Sequence, residues 1–414
     1  MNVTLPNVPA VSLARRVIKT LVARGHTAYL AGGCVRDLLL HRTPKDYDVA
    51  TSARPEEVEA AFAKTVAVGK SFGVITVIGD RDSVQVEVAT FRHDGPYSDG
   101  RHPDSVRFTN AEEDALRRDF TINALFLEPE TGEVIDYVGG VRDLEARVIR
   151  AVGDPAVRFH EDKLRLLRAI RFACALGFDI DDETLEAVSR MAPQVTVCSR
   201  ERIREELHKM LTNIGRGRAL RLLIETGLLQ AALPEVAGLP PEALARAGTG
   251  LDALGNPPSL AVSWAVLLFE LGAPAAGAIL ARLRCSNELI DHVQSLIADA
   301  PEMAKLENLR IARQKRLLRK PGIEDDLELL RSRSVTGGAP TSAAKRAPQI
   351  LAQRKAEGLW PKLPLNGNDL AAMGIKPGPQ FKELLAALED EVLEGRVRTR
   401  EEAERFVQTL AKQP

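Results

Sequence analysis

Residues 29–51 read YLAGGCVRDLLLHRTPKDYDVAT, and this stretch decides the fold of the chain. A short apolar run ends at two glycines, Gly32 and Gly33, after which VRDLLL follows with helical spacing. Asp46 and Asp48 come next, separated by one tyrosine and followed by a Val-Ala pair. Short apolar runs interrupted by a glycine pair predict a strand, a tight turn, a helix and a second strand.

The two aspartates of this stretch predict a metal site. Successive strand side chains point to opposite faces, so Asp46 and Asp48 share a face and bring two carboxylates together. Like charges at that spacing repel unless a cation lies between them, and Mg²⁺ takes few carboxylates beside water and phosphate ligands. The glycine turn offers backbone N–H groups to a phosphate. Either feature alone is more often structural, but their order here favours a site for a nucleoside triphosphate and Mg²⁺.

The order of these motifs resembles the DNA polymerase β nucleotidyltransferase superfamily. More narrowly, GGCVRD followed by DYD is similar to the class II family of bacterial CCA-adding tRNA nucleotidyltransferases and poly(A) polymerases. The resemblance implies that Gly32, Gly33 and Arg36 bind the nucleotide. It also implies an α+β protein, in which a nucleotidyltransferase head with a small mixed five-stranded sheet precedes an all-helical neck, body and tail. The expected boundaries are 1–150 for the head, 151–215 for the neck with a nucleotide-template helix, 216–335 for the body and 336–414 for a tail that contacts tRNA.

Length and composition limit the class of protein. The chain has 414 residues, 45% of them hydrophobic and 27% charged, which suits several modules with ordinary buried cores. The formal net charge is −1, so a nucleic acid would have to meet a local basic surface. The four cysteines form no CxxC pair and predict reduced thiols and no zinc site. Because the sequence shows no secretory h-region and no long apolar run, we expect a cytoplasmic protein that does not span a membrane.

A third acidic residue lies in a later predicted strand. Residues 84–89 read VQVEVA, and Glu87 stands there between two valines, a costly position unless it faces solvent or joins the two aspartates. The resemblance implies the second role, which makes Asp46, Asp48 and Glu87 the catalytic set. Residues 91–108 are rich in Gly, Pro, Asp and Ser and predict a loop. The family keeps a flexible segment at this place for adding the final A, which argues against a C-only variant.

Residues 116–125, LRRDFTINAL, add candidate nucleotide contacts. A triphosphate needs guanidinium partners, and a carboxylate can accept a hydrogen bond from a ribose hydroxyl. The ordinary alternative is a charge cluster on a solvated turn. RRDFTINA resembles the ribose-selecting motif of the family, which implies that Arg118, Asp119 and Asn123 bind the nucleotide.

Residues 160–174, HEDKLRLLRAIRFAC, predict an amphipathic helix. Glu161 and Arg165 are four residues apart, and the ordinary interpretation is a surface ion pair. A functional interpretation starts from the edge that adenine and cytosine share, an amino group beside a ring nitrogen. Asp162 can accept from the amino group and Arg165 can donate to the ring nitrogen, whereas guanine and uracil would leave both side chains unpaired.

The EDxxR sequence within this helix resembles the amino-acid template of the class II enzymes. The resemblance implies that Glu161, Asp162 and Arg165 select the incoming nucleotide. It also places Arg168 and Arg171 at family positions that contact the nucleotide, through its phosphates.

The rest of the chain offers structural signals. Asp136, Gly139 and Gly140 match the hinge between head and neck in the family, a structural role. Residues 310–320, RIARQKRLLRK, carry six cations and no acid, and the sequence leaves open whether they track tRNA phosphates or form a solvated face. Residues 331–348 are the best candidate for a linker.

These features predict a template-independent nucleotidyltransferase that adds CCA to tRNA 3′ ends from CTP and ATP. Asp46 and Asp48, with Glu87, are expected to hold two Mg²⁺ ions, one activating the RNA 3′ hydroxyl and the other neutralising the triphosphate during in-line attack on the α-phosphate. The expected partners are tRNA, through its 3′ end and acceptor region, and the two nucleotides. Neither a membrane nor a protein partner is implied.

Two other functions stay open. A poly(A) polymerase, or a partial adder of A only or CC only, would use the same chemistry. The intact loop and the sequence NGNDL near the C-terminal end favour full CCA addition. An RNA-binding regulator that has lost catalysis is expected to have lost its aspartates, and both Asp46 and Asp48 are present.

Overall fold

The computed structural model describes residues 3, 5–67, 72–80, 84–95, 97 and 105–411, and the chain folds into two compact units. The first unit comprises Met1–Met210 with Arg218–Gly238, and the second comprises Leu211–Gly217 with Leu239–Pro414. The four-domain division expected from the sequence stays a prediction. The loop predicted over residues 91–108 begins and ends in a two-stranded ribbon, and its residues 96 and 98–104 lie outside the described part of the chain.

The secondary structure of the described residues combines strands and helices in the first unit and is helical in the second. The strands are β1 Ala28–Ala31, β2 Val49–Thr51, β3 Thr65–Val66, β4 Val74–Ile78, β5 Gln85–Thr90, β6 Arg92–Asp94, β7 Val106–Phe108, β8 Phe126–Leu127, β9 Val134–Ile135, β10 Val148–Ile149 and β11 Asp179–Ile180. The α-helices up to residue 237 are α1 Pro9–Ala23, α2 Gly33–Leu39, α3 Pro55–Ala61, α4 Ala111–Leu116, α5 Gly140–Glu145, α6 Pro155–Glu161, α7 Leu164–Leu176, α8 Asp182–Met191, α9 Arg200–Leu211, α10 Arg216–Glu225, α11 Leu228–Ala232 and α12 Pro234–Ala237. The later ones are α13 Pro241–Ala253, α14 Leu260–Leu268, α15 Gly272–Arg282, α16 Asn287–Met303, α17 Ile311–Leu318, α18 Ile323–Val335, α19 Thr341–Glu357, α20 Gly367–Ala372, α21 Pro379–Leu393 and α22 Arg400–Ala411.

The α+β class is confirmed, and the first unit contains a mixed sheet. Within the described residues this sheet has seven strands in the order β3-β4-β5-β2-β1-β8-β9, where the sequence predicts five. β1 runs antiparallel to β2 and β8, whereas β2 and β5 are parallel. The outermost strands, β3 and β9, are two residues long, which is too short for an alternating pattern to reveal.

The two faces of this sheet bury separate cores, because strand side chains alternate. Val49 points to the face on which α1 packs through Val17. Ala50 and Phe126 belong to the core on the opposite face. Asp48, one residue before Val49, therefore lies on the Ala50 side of the sheet, away from α1.

The linker predicted over residues 331–348 is wrong. α18 continues to Val335 and α19 begins at Thr341, so only residues 336–340 form a turn. Leu330 of α18 and Ile350 of α19 share one buried core of the second unit. Within residues 331–348 the side chains that join this core are alanines, Ala347 buried and Ala343 and Ala344 partly buried, so small residues hide the packing in the sequence.

One stretch, Leu260–Arg282, is long and apolar enough by length and composition to cross a membrane, and half of its most apolar window is buried inside the protein. A 3-10 turn at Phe269–Leu271 divides it into α14 and α15, of 9 and 11 residues. At about 1.5 Å per residue, neither helix reaches across a hydrocarbon core of about 30 Å. The side chains from Ala261 to Leu268 are all buried, so α14 is a core helix.

The six cations of the basic run at residues 310–320 each have an acidic partner within the second unit, and their contact with tRNA stays a prediction. Arg316 and Arg319 both contact the carboxylate of Glu389 on α21, at 2.7 Å each. The pairs are Arg310–Glu394, Arg313–Glu302, Lys315–Glu357, Arg316–Glu389, Arg319–Glu389 and Lys320–Asp299. The run therefore fastens α17 to its neighbours, including α21.

The glycine pair after β9 has a structural role. One oxygen of the Asp136 carboxylate accepts backbone hydrogen bonds from Val138, Gly139 and Gly140, at 2.9 to 3.0 Å, and so caps the start of α5. A Cβ on Gly140 would lie 2.2 Å from the carbonyl oxygen of Thr121, so only glycine lets α5 approach that segment. The segment carries several of the candidate site residues described below.

Replacing Gly140 with alanine is expected to lower the free energy of unfolding of the first unit by about 2 kcal/mol, because the new methyl group overpacks against backbone. Chemical denaturation followed by circular dichroism measures the change. Gly238→Ala is the matched control, since a Cβ there meets no atom closer than 3.5 Å and the φ of −75° suits any residue. Equal stability of the two variants would contradict the close approach of α5.

Replacing Glu389 with glutamine is expected to destabilise the second unit by about 1 kcal/mol, because two guanidinium groups lose a shared carboxylate that is only 20% exposed. The loss should shrink in 1 M salt, which screens the remaining charges. Glu404→Gln, which breaks an exposed pair with Arg400, should change stability by less than about 0.5 kcal/mol. A larger effect at Glu404 than at Glu389 would argue against the joint between α17 and α21.

Candidate active site

One cleft of about 670 Å³ in the first unit is lined by most of the residues that the sequence predicts to bind nucleotide or metal. The predicted residues that line it are Gly32, Gly33, Arg36, Asp46, Asp48, Arg118, Asp119, Asn123, Asp162, Arg165 and Arg168. Three predicted residues, Glu87, Glu161 and Arg171, are not among its lining residues. Four lining residues were not predicted to bind nucleotide: Arg117, Leu164, Phe172 and Arg202.

The two aspartates lie just before β2, not within it as the sequence predicts, but they keep the alternation of a strand. Tyr47 is buried in the core of the α1 face, whereas Asp46 is exposed and Asp48 half-buried on the cleft side. Burial raises the pKa of Asp48 to about 6, and the charges of Glu87 and Asp46 add to the increase, while Arg118 opposes it. The site thus concentrates negative charge.

Glu87 lies next to the aspartates in the sheet register. β2 and β5 are parallel with Val49 opposite Val88, so the residues that precede them, Asp48 and Glu87, are neighbours on the same face. Glu87 is exposed. Among the described residues no three His, Cys, Asp or Glu side chains are arranged to hold a metal ion, so the metal site stays a prediction that rests on two carboxylates.

The glycine turn brings the start of α2 against Arg118. Gly32 has a φ of +75°, which L side chains rarely adopt, and a Cβ there would lie 2.8 Å from Nη1 of Arg118. The guanidinium of Arg36 on α2 donates from Nη1 to Oδ1 of Asn123, at 2.6 Å, and from Nε to Oδ1 of Asp37, at 2.8 Å. Two predicted arginines therefore flank the glycines, with their positions fixed by acceptors.

Asp119 is buried and fully engaged. Its Oδ1 accepts from the backbone N–H of Phe120, at 2.8 Å, and from Nδ2 of Asn123, at 3.1 Å. Its Oδ2 accepts from Nε and Nη2 of Arg168, with the Nε contact at 2.8 Å. Burial would raise the pKa of Asp119, but Arg168 and the hydrogen bond from Asn123 hold that pKa well below its usual range. Its predicted contact with a ribose stays a prediction.

The helix predicted over residues 160–174 is interrupted. α6 ends at Glu161 and α7 begins at Leu164, with Asp162 between them in an extended conformation at φ −139° and ψ 107°. The Asp162 carboxylate causes the break, because its Oδ1 accepts the backbone N–H of Leu164, at 3.0 Å, in place of a helical carbonyl. The apolar periodicity continues across the break, so the sequence does not reveal it.

Arg165 is held by three acceptors. Its Nη1 donates to the carboxylate of Glu161, at 2.6 Å, and to the carbonyl of Arg158, at 2.9 Å, while Nη2 donates to the carbonyl of Arg117, at 3.0 Å. The ion pair between Glu161 and Arg165 that the sequence predicts is therefore present. Glu161 supports Arg165 from outside the cleft.

Three arginines lie within cation–π distance of the Phe172 ring. The guanidinium carbons of Arg36, Arg168 and Arg171 lie 5.3, 5.2 and 3.9 Å from the ring centroid. Arg171 also donates from Nε to the carboxylate of Glu206, at 2.5 Å. Arg171 therefore packs behind Phe172, and its predicted contact with phosphates stays a prediction.

The residues that sequence reasoning missed lack a local signal. Arg202 lies on α9, a helix whose charged pattern resembles a solvated neck helix, yet its Nη2 donates to Oδ2 of Asp162, at 2.8 Å. Phe172 belongs to the apolar stripe of α7 and looks like an ordinary core residue. A lone aromatic residue flanked by arginines within a helical repeat is the only cue that could have pointed to it.

Three family models match the chain. Residues 28–150 match the Poly A polymerase head domain, and residues 257–404 match tRNA nucleotidyltransferase domain 2. Residues 177–239 match a model described as "Probable RNA and SrmB- binding site of polymerase A". The first of these covers the sheet and both aspartates.

The chain is similar along nearly its whole length to CCA-adding enzymes. It is 36% identical over 404 residues to that of Geobacillus stearothermophilus, with 95% of each chain covered, and 35% identical over 410 residues to that of Enterococcus faecalis, with 96% of this chain and 95% of the other covered. The crystal structure of the Bacillus stearothermophilus CCA-adding enzyme in complex with CTP matches with a TM-score of 0.80 at 33% identity, over 97% of this chain and 98% of the other. The Thermotoga maritima CCA-adding enzyme complexed with tRNA, 21% identical, shares the fold with a TM-score of 0.71, over 98% of this chain and 96% of the other. The chain therefore belongs to the family of CCA-adding enzymes, which are tRNA nucleotidyltransferases.

Proposed function

We propose that this protein adds CCA to the 3′ ends of tRNA from CTP and ATP, in the cytoplasm, by a two-metal in-line transfer. The observation that carries the proposal is one cleft that joins two carboxylates, Asp46 and Asp48, to a carboxylate and guanidinium, Asp162 and Arg165. The first pair suits metal-dependent nucleotide transfer, and the second suits recognition of a base edge. Relatives whose solved complexes contain CTP or tRNA support the choice of substrates.

The carboxylates fit Mg²⁺. Burial raises the pKa of Asp48, and the neighbouring carboxylates of Glu87 and Asp46 add to the increase. A divalent cation would balance the charge of these neighbouring carboxylates. A pair of carboxylates with open positions suits Mg²⁺, which fills the rest of its shell with water and phosphate oxygens. Mg²⁺ bound there would acidify the RNA 3′ hydroxyl and neutralise charge on the triphosphate. Glu87 is the proposed third acidic residue.

The arginines of the cleft are proposed to hold the triphosphate. Arg36 and Arg118 lie close to the glycine turn and line the cleft with it, so their guanidinium groups can donate to a phosphate there. Arg168 also lines the cleft, and its guanidinium is oriented by Asp119. A ribose hydroxyl that contacts Asp119 would share a carboxylate already used by Arg168 and Asn123.

Asp162 and Arg165 are proposed to select cytosine and adenine. Within the described residues, three of the five N–H groups of Arg165 are used, which leaves Nε–H and one Nη2–H for a ring nitrogen. Asp162 would accept from the exocyclic amino group. Uracil and guanine present a carbonyl and an N–H at that edge, so both protein groups would stay unpaired, at a large cost in affinity. A pair of side chains thus replaces a nucleic-acid template.

The test uses the purified protein, Mg²⁺, and tRNA transcripts that end before CCA, with CTP and ATP supplied separately and together. We expect C, C and A to be added in order, resolved at single-nucleotide steps, and we expect EDTA to abolish addition. Asp48→Asn should slow addition by about 10²–10³-fold or more, because the metal pair loses one carboxylate. Asp80→Asn, which removes an exposed carboxylate that is paired with Arg16 outside the cleft, should leave the rate unchanged.

Other outcomes identify other functions. A ladder of A residues on any RNA would indicate a poly(A) polymerase, and a stop at CC or at one A would indicate a partial adder. No product with any nucleotide would favour an RNA-binding protein without catalysis. A wild-type rate in Asp48→Asn would refute the metal assignment while leaving the substrate assignment intact.

A further inference from the structure

Arg202 lines the cleft, and its contact there has no part in the proposed reaction so far. It lies in the first turn of α9, where its backbone N–H contacts the Ser199 hydroxyl at 3.4 Å. Its guanidinium lines the cleft and donates from Nη2 to Oδ2 of Asp162, at 2.8 Å. The two side chains are 19% and 18% exposed, so solvent screens the contact only in part.

Asp162 has little local support without this contact. It lies in the break between α6 and α7, so no helical turn surrounds it. Its Oδ1 is fixed by the backbone N–H of Leu164, at 3.0 Å, and its Oδ2 by Arg202. One donor at each oxygen sets the plane of the carboxylate, because a carboxylate held at one oxygen can still turn about its side-chain torsion.

We propose that Arg202 is a positioning residue that sets nucleotide selectivity by fixing the Asp162 carboxylate, an inference that rests on the proposed reading of the base by Asp162 and Arg165. Selection against uracil requires more than a good acceptor for the cytosine amino group. It requires that a carboxylate oxygen stay opposite the uracil carbonyl, where the two oxygens repel. A carboxylate that swings away both loses the cytosine amino group and relieves the repulsion with uracil.

The structure separates this role from a direct contact with phosphate. Arg36 and Arg118 stand beside the glycine turn, whereas Arg202 contacts the base-reading carboxylate. A phosphate contact would lower the use of all four nucleotides alike, since they share the triphosphate. A positioning contact changes the ratio between nucleotides, because only the base edge differs.

The test compares kcat/KM for CTP, ATP, UTP and GTP on tRNA transcripts that end before CCA. Arg202→Ala is expected to lower kcat/KM for CTP and to reduce the CTP:UTP ratio by about tenfold or more, with ATP:GTP moving in the same direction. Arg202→Lys keeps one cationic donor and should restore part of the ratio. Arg190→Ala, which removes an exposed arginine paired with Glu186, should leave the ratio unchanged.

A double-mutant cycle checks the route of the effect. If Arg202 acts through Asp162, then adding Arg202→Ala to an Asp162→Ala protein should not change the CTP:UTP ratio further. An equal loss for all four nucleotides, or an unchanged ratio in both Arg202 variants, would overturn the inference. Should Arg202→Ala fail to fold, the CTP:UTP ratio of Arg202→Lys is compared with that of the wild-type protein. A ratio below the wild-type value supports the inference, and an equal ratio overturns it. Failure of the wild-type protein to add C or A would instead reject the proposed function itself.

Discussion

The candidate site depends on one buried carboxylate, that of Asp119. Its oxygens accept from the Phe120 backbone, from Asn123 and from Arg168, which ties the segment after α4 to α7. Burying the Asp119 charge without partners would cost several kcal/mol of folding free energy, so the fold requires these hydrogen bonds. Asn123 in turn accepts a hydrogen bond from Arg36. Asp119 therefore fixes the positions of Asn123 and Arg168 directly and that of Arg36 through Asn123.

The cleft concentrates charged side chains of both signs in a chain whose formal net charge is only −1. Asp46 and Asp48 line it together with several arginines, and the guanidinium groups of Arg36 and Arg168, with that of Arg171 outside the lining, surround the ring of Phe172. Such a cluster of cations is stable because each guanidinium also has an acidic or amide acceptor, and the aromatic ring adds a face that attracts them. Local charges of this kind decide which ligands a site attracts, so the overall charge of the chain says little about its substrates.

Sequence reasoning predicts those parts of this protein whose chemistry is local. Each predicted motif spans only a few consecutive residues: the glycine turn, the two aspartates, and the pair Asp162 and Arg165. All of these residues line the cleft. Contacts between distant segments escape it, as with Arg202, which lies on a helix that resembles a solvated surface. The break between α6 and α7 also escapes, because a side chain that captures a backbone N–H leaves the apolar pattern intact. The two-residue outer strands of the sheet lack any pattern to detect.

The ion pairs of α17 have a consequence for how the second unit would meet an RNA. Binding to a free cation is favoured by the entropy gained when the RNA releases its condensed counterions. Arg316 and Arg319 already have Glu389 as a partner, so a phosphate that approaches either guanidinium competes with a carboxylate of α21. Each phosphate bound there would weaken the ion pairs between the two helices. Contact with nucleic acid through this helix would therefore gain less than contact with an unpaired cation, because part of the charge of each guanidinium is already balanced by a carboxylate.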